Sequence, residues 1–477
     1  MKRFTTFFIA AATLPVFSVG APRTIAQQEN TAPPKPSAHA YPALVDANQQ
    51  DEKANQDPNA LQPDDRPLTG IQTPTLGSQK FRHSYWVPGF QYGNVIQSRS
   101  LAVANSSPGW SSDNYLAGNL SVLSTWSRAQ FSLNYSGGGF LTTDKALGNG
   151  YYHALGMIQE FDWGRWQLQF LDQFSYIPEA LFGFGRAIRL GVPGIGGSLA
   201  PASPGLSESL VPNQSIFLST GTRYSNASAI ETNYALTPRA SITMAGSYGL
   251  LRFLEAGNID SDETIANFGY NYLLTRNDTV GVLYRFTGYH YAGTSQAIGN
   301  HIVNLAYGRK ITGRLALQLS GGPEIAFFRV PINGGTRQVL PYASASLAYG
   351  SQRGRVSLGY TRGVSGGGGV LVGSNTDQLT IDGNHQMGRT WTFLGSLGYA
   401  RNRSLAVNSA TNIQTFDSWV VTTGITHPIG PNASFSLGYT ARLQTSNLAC
   451  TASCNTNFTQ HQISLGFQWN TRPFVIR

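Results

Sequence analysis

Apolar and polar residues alternate over long stretches of this chain, and the last stretch shows the pattern most plainly. Ile463, Leu465, Phe467 and Trp469 are interleaved with Gln462, Ser464, Gly466 and Gln468. A period of two is that of a β-strand with one face in an apolar medium and the other in a polar one. The same alternation recurs from Tyr85 onward in paired runs, each pair joined by a short turn-forming cluster.

Eight such hairpins can be placed. Leu116, Gly118, Leu120 and Val122 are answered across Ser127-Arg128 by Ala129, Phe131, Leu133 and Tyr135. The other seven turns fall at Asp162-Trp163-Gly164, Thr237-Pro238-Arg239, Arg276-Asn277-Asp278, residues 310–313, residues 351–354, Gly388-Arg389 and residues 428–432. Between hairpins lie longer polar, glycine-rich stretches, at 137–150, 178–213, 255–263, 323–339, 363–376, 402–417 and 444–459. Strict alternation of short and long connections is the signature of a transmembrane barrel with short periplasmic turns and long external loops. Eight hairpins make sixteen strands, and residues 462–469 add another. With both ends on the periplasmic side the number must be even, so a first strand is expected within 84–103, although Pro88 interrupts it. The pattern predicts an all-β, antiparallel up-and-down transmembrane barrel of about 18 strands over residues 85–469, with 16 as the alternative.

Composition supports this picture. Only 12% of the 477 residues are charged, against about 25% in soluble domains, and the hydrophobic share is 41%. The balance is strand-and-turn material, including 53 glycines. A soluble propeller would show a fixed-period repeat, which the sequence lacks. Lys2 and Arg3 precede an apolar run ending at Val19, as in an export signal cleaved after Ala26; that run is shorter than the ~20 residues of a spanning helix. Residues 27–84 are rich in Pro, Gln, Asn and Asp, and are expected to form a disordered periplasmic tail. Residues 470–477 form a C-terminal tail.

A net charge of +9 raises the possibility of nucleic-acid binding. The basic residues are scattered, however, and several, among them Arg128, Arg165, Arg239 and Arg389, fall at tight turns. That placement suits lipid head groups, and no nucleic-acid partner is expected. The only cysteines, Cys450 and Cys454, are close enough to form a small disulfide in an exported chain. No metal or other cofactor is expected.

With the aromatic face turned to lipid, the opposite face carries Gln167, Gln169, Ser241, Thr243, Gln378, Thr380, Ser436, Thr440, Ser464 and Gln468. Small neutral hydrogen-bonding groups are costly to bury unpaired and cheap in water, so the expectation is a wide, wet pore. Its charged lining candidates are Glu160, Glu231, Arg285, Asp382 and Arg442, with Arg285 and Arg442 as candidates for a mild anion preference. The long connection 178–213 carries Phe184, Arg186 and Arg189, and is expected to fold inward as a constriction. Asp172 breaks the scheme by falling on the lipid face between Phe170 and Phe174; a bulge, an oligomer contact or an interfacial depth would each accommodate it.

Catalytic chemistry is not legible. The histidines His153, His290, His301, His385, His427 and His461 are dispersed, and no G-x-S-x-G, H-E-x-x-H or P-loop occurs. The glycine run 366–369 is not followed by a helix and is read as a flexible loop rather than a phosphate cradle. The protein is therefore expected not to be an enzyme.

Ser464-Leu465-Gly466-Phe467-Gln468-Trp469 resembles the C-terminal targeting signal of bacterial outer-membrane β-barrels, although that signal usually ends the chain and residues 470–477 follow here. The whole region resembles a porin-like barrel of the Gram-negative envelope, similar to uncharacterised outer-membrane proteins of acidobacterial type. The resemblance implies location in the outer membrane, contact with its lipid and lipopolysaccharide, delivery by periplasmic chaperones and insertion by the barrel-assembly machinery. It is compatible with a homo-oligomer. The expected function is passive diffusion of small polar solutes; the alternative is a structural or adhesive barrel with an occluded lumen.

Overall fold

The computed structural model describes residues 67–70, 84–98, 109–143, 149–177, 215–216, 222–254, 258–332, 334–351, 353–405, 413–447 and 457–476. The expected export signal, Phe184, Arg186, Arg189, Cys450 and Cys454 lie outside the described residues.

Among the described residues, eighteen strands follow one another round a single wall. They are β1 (Ser84–Ser98), β2 (Trp110–Thr125), β3 (Ala129–Thr142), β4 (Gly150–Trp163), β5 (Trp166–Ile177), β6 (Arg223–Thr237), β7 (Ala240–Phe253), β8 (Ser261–Leu273) and β9 (Asp278–Tyr291). The other half comprises β10 (Ala297–Thr312), β11 (Leu315–Ile332), β12 (Gly335–Ser351), β13 (Gly354–Ser365), β14 (Ser374–Met387), β15 (Trp391–Ser404), β16 (Thr415–Pro428), β17 (Ala433–Ser446) and β18 (Phe458–Asn470). Each pairs antiparallel with its neighbour in sequence, and β1 pairs with β18 from Gly89↔Asn470 to Gln97↔Gln462, which closes the barrel. Closure leaves no strand edge unpaired, the condition for a sheet to survive where water cannot satisfy the backbone. Every strand, from the 12 residues of β5 to the 18 of β11, exceeds the ~9–11 residues a tilted strand needs to cross a bilayer.

All eight tight turns expected from the sequence join these strands, and all lie at the same end of the barrel. Glycine at positive φ shapes three of them, Gly164 (φ 59), Gly388 (φ 67) and Gly430 (φ 153). Pro88 is tolerated in β1 because of a break in its partner. The Pro88 carbonyl accepts from the Thr471 N–H (3.0 Å), so the side on which Pro88 lacks its own N–H faces the gap after β18. Beyond that gap a short strand β19 (Phe474–Ile476) pairs with Ser84–Trp86 of β1, and Phe474 stacks on Trp86 at 4.8 Å. Part of the expected C-terminal tail therefore belongs to the sheet.

The outward face is apolar in the middle and aromatic toward both ends. Val282, Val303, Leu305, Leu437, Ile463 and Leu465 are exposed there. Toward the tight turns come Trp163, Trp391 stacked on His427 (4.3 Å), and Trp166 against Tyr234 (4.5 Å). Nearer the other end, Tyr hydroxyls meet outward histidines in three pairs: Tyr135–His153 (2.9 Å), Tyr284–His301 (2.7 Å) and Tyr439–His461 (2.8 Å). Above them the charges are compensated in repeating sets. Tyr360 donates to Asp377, which faces Arg362 (3.6 Å); Tyr399 donates to Asp417, which faces Arg401 (3.6 Å). Such girdles mark where an apolar band meets a wet interface.

Asp172 is on this face as expected, and two neighbours accommodate it. Ser228 Oγ donates to its carboxylate at 2.5 Å and Asn226 Nδ2 at 3.3 Å. The β5–β6 register is regular through Asp172↔Ser228, so no bulge is involved.

Two expectations about connections fail. Residues 323–339 are not a long loop: β11 and β12 run on and pair to Ile332↔Gly335. Pro323 and Pro341 sit opposite each other in that ladder. Residues 67–70, within the segment expected to trail in the periplasm, instead lie inside the barrel, where Thr69 is only 1% exposed.

Candidate functional site: the barrel lumen

Alternation places a second set of side chains inside. Gln91, Gln97, Thr243, Asn267, Asn271, Asn300, Gln378, Thr440, Gln444, Gln462 and Ser464 point inward and are buried. A wide, wet pore would leave such groups exposed; here other side chains cover them. Hydrogen bonds across neighbouring strands satisfy many of them, as in the chain Gln460 Nε2 to Gln97 Oε1 (3.1 Å) and Gln97 Nε2 to Asp113 Oδ2 (2.7 Å).

All five charged residues singled out from the sequence face inward, but they do not form one ring. Glu160 accepts from Gln169 Nε2 (3.1 Å). Glu231 is buried on β6 beside Gly70. Asp382 lines β14 opposite Ser357 and Ser396. Arg285 donates through Nε to Asn267 (3.0 Å) and interacts electrostatically with both Glu263 and Glu324. Arg442 donates to Gln460 (3.4 Å) and experiences repulsion from Arg223 at the start of β6. Arg223 is 3% exposed, and its Nε and Nη2 have no hydrogen-bond partner among the described residues.

Glu263, Glu324 and Arg223 were not anticipated. Glu263 and Glu324 fell in stretches taken for loops, and Arg223 follows a long connection with no alternation to announce a strand. Glu324 Oε1 accepts from Asn300 Nδ2 (2.5 Å) and from the Val364 N–H (2.9 Å), so it ties β11 to β10 and to the end of β13.

Beyond β13 the glycine-rich connection 366–373 folds into the barrel. Gly367, Gly368, Gly369 and Gly373 all have positive φ, from 63° to 84°. A Cβ on Gly369 would lie 2.3 Å from the Phe253 ring, and one on Gly373 would lie 2.4 Å from Ile298 Cδ1. The Gly369 carbonyl accepts from the Ile259 N–H (2.8 Å) and the Gly373 carbonyl from the Leu405 N–H (3.3 Å). The loop thus packs on an apolar cluster that includes Tyr289, Tyr291, Ile298 and Phe328. The sequence reading of a flexible loop is corrected here: small residues allow the backbone to fit tightly between walls.

Residues 215–216, between β5 and β6, also lie inside the barrel. Ser215 Oγ donates to Asn402 Oδ1 (2.9 Å), which also accepts from Thr376 Oγ1 (2.8 Å). Ile216 is buried against Leu371 and Phe416. Asn402 lies on β15, nine strands beyond β6 in a ring of eighteen, so Ser215 meets the wall opposite β6.

No family model matches the chain, and no curated protein does. Solved structures give distant likenesses. Pseudomonas aeruginosa OccK9 (OpdG) is 11% identical with a TM-score of 0.40, covering 81% of this chain and 98% of its own. OccK5 (OpdH) of the same organism is 12% identical with a TM-score of 0.40, covering 82% and 98%. Acinetobacter baumannii OccAB3 is 10% identical with a TM-score of 0.39, covering 81% and 99%. Likeness this remote assigns no function, and the functional reading rests on residues of this chain.

No group of three or more potential metal ligands comes together among the described residues, and no helix there is long and apolar enough to cross a membrane.

Proposed function

We propose that this chain is an outer-membrane channel for passive diffusion of small polar solutes, with a mild anion preference. One observation carries the reading: a closed wall with Leu, Val, Ile and aromatic side chains outside and amides, hydroxyls and arginines inside. Such a wall suits a bilayer around an aqueous path. Outer-membrane lipid and lipopolysaccharide are then its surroundings. The β18 sequence supports delivery by periplasmic chaperones and insertion by the barrel-assembly machinery.

Arg223 and Arg442 support the anion preference. Two guanidinium groups close enough to repel each other favour an anion between them. Arg285 lies within electrostatic reach of Glu263 and Glu324, which offsets part of its pull on anions. The inward course of 366–373 and of 215–216 supports a narrow outer mouth.

Planar bilayers test both parts. The wild-type chain should give discrete conductance steps, and its reversal potential in a KCl gradient should indicate anion preference. Arg442→Ala and Arg223→Ala should each move that potential toward zero while the steps persist. Burial of the outer-mouth loops favours a second reading, a closed structural barrel, which predicts that no steps occur at all.

A further inference from the structure

We propose that residues 67–70 are an internal plug, a segment of the chain's own N-terminal region seated in a built cradle at the tight-turn mouth. Its setting of the pore cross-section rests on the channel reading above; its docking does not. The segment is a turn closed by the Gly70 N–H donating to the Pro67 carbonyl (3.1 Å). Asn271 on β8 holds it from below. Its Oδ1 accepts from the Thr69 N–H (3.2 Å), and its Nδ2 donates to Thr69 Oγ1 (2.8 Å) and to Thr243 Oγ1 (3.1 Å). On the other side, Gln318 Nε2 donates to the Leu68 carbonyl (3.3 Å).

The wall beneath is shaped for this occupant. Three adjacent strands, β8, β9 and β10, present inward glycines where the turn lies. A Cβ on Gly269 would lie 2.4 Å from Thr69 Cβ, one on Gly308 would lie 2.6 Å from Leu68 Cδ2, and one on Gly281 would lie 3.2 Å from Thr69 Cγ2. None of the three needs glycine for its backbone angles. A glycine within a strand weakens it, and its usual justification is close approach by another chain segment. With Glu231 beside Gly70 and Gln318 on Leu68, the contacts run from β6 to β11, a third of the circumference. Pro67, Leu68, Thr69 and Gly70 carry no charge. The plug therefore restricts size without choosing ion sign, a task that falls to Arg223 and Arg442 at the other end.

Docking is tested without conductance by joining Thr69→Cys to Gly281→Cys in full-length chain carrying Cys450→Ser and Cys454→Ser. Oxidation of the folded barrel should give an internal cross-link, seen as a reducible mobility shift after unfolding. Two thiols that both react with maleimide but never cross-link would overturn the plug. Function is tested by evicting it with Gly269→Leu, or with the paired changes Leu68→Ser and Thr69→Gly, which leave the wall untouched. Single-channel conductance should rise roughly 1.5- to 2-fold with an unchanged reversal potential; unchanged conductance in the paired variant would also overturn the proposal. A barrel that cross-links but never conducts would defeat the channel reading and uphold the docked segment.

Discussion

Gly369→Val is expected to open the outer mouth of the barrel and raise single-channel conductance roughly twofold or more, given how steeply flux depends on the narrowest section. Gly369 has φ 84°, a region that β-branched residues avoid. The added Cβ would also lie 2.3 Å from the Phe253 ring. Neither problem can be relieved in place, because the Gly369 carbonyl is tied to Ile259 and the loop is pressed on Tyr289 and Ile298. The simplest release is outward, into solvent. The barrel itself should persist, since β13 and β14 remain paired down to Ser365↔Ser374. Recordings of the variant beside wild type check this. Equal conductance in a correctly folded variant would mean that 366–373 is not a limiting constriction.

Leu305→Arg should destabilise the folded barrel by about 2–4 kcal/mol, the cost of a basic side chain near the bilayer midplane. Leu305 is 70% exposed on the outward face. Its cross-strand neighbours are Val282 and Gly321, neither of which can pair with a guanidinium. Asp172 shows what a charge on this wall requires: Ser228 and Asn226 both donate to it. The introduced guanidinium would find no acceptor among those cross-strand neighbours. Denaturant unfolding from lipid vesicles reads the effect. A variant as stable as wild type would show that this face does not lie in hydrocarbon. Aqueous solubility of the purified chain without detergent would lead to the same conclusion.

Alternation in the sequence was enough to place the strands, because side chains on a strand must point to opposite faces and the two faces here meet different media. The count of eighteen followed from eight tight turns and the parity of a closed barrel, and it held even for β1, whose Pro88 obscured the pattern. Alternation failed where it was masked by loop-like composition. The polar, glycine-rich stretch 323–339 was taken for a loop although β11 and β12 pair along most of it, and Glu324 was overlooked with it. Inward-facing Arg285 and Arg442 could be named from parity alone, but parity says nothing about which charges meet.

What the sequence determined by itself was the two-faced strand, the turn positions and the direction in which each side chain points, since all three are set by residues within a few positions of one another. Only the tertiary structure decided that 366–373 and 215–216 fold inward, that Arg223 and Arg442 come within electrostatic reach of each other, as do Arg285, Glu263 and Glu324, and that residues 67–70 rest on Gly269, Gly281 and Gly308. Each of these joins parts of the chain far apart in sequence across an enclosed space. No local period encodes such distances; they follow only once the ring of strands has closed.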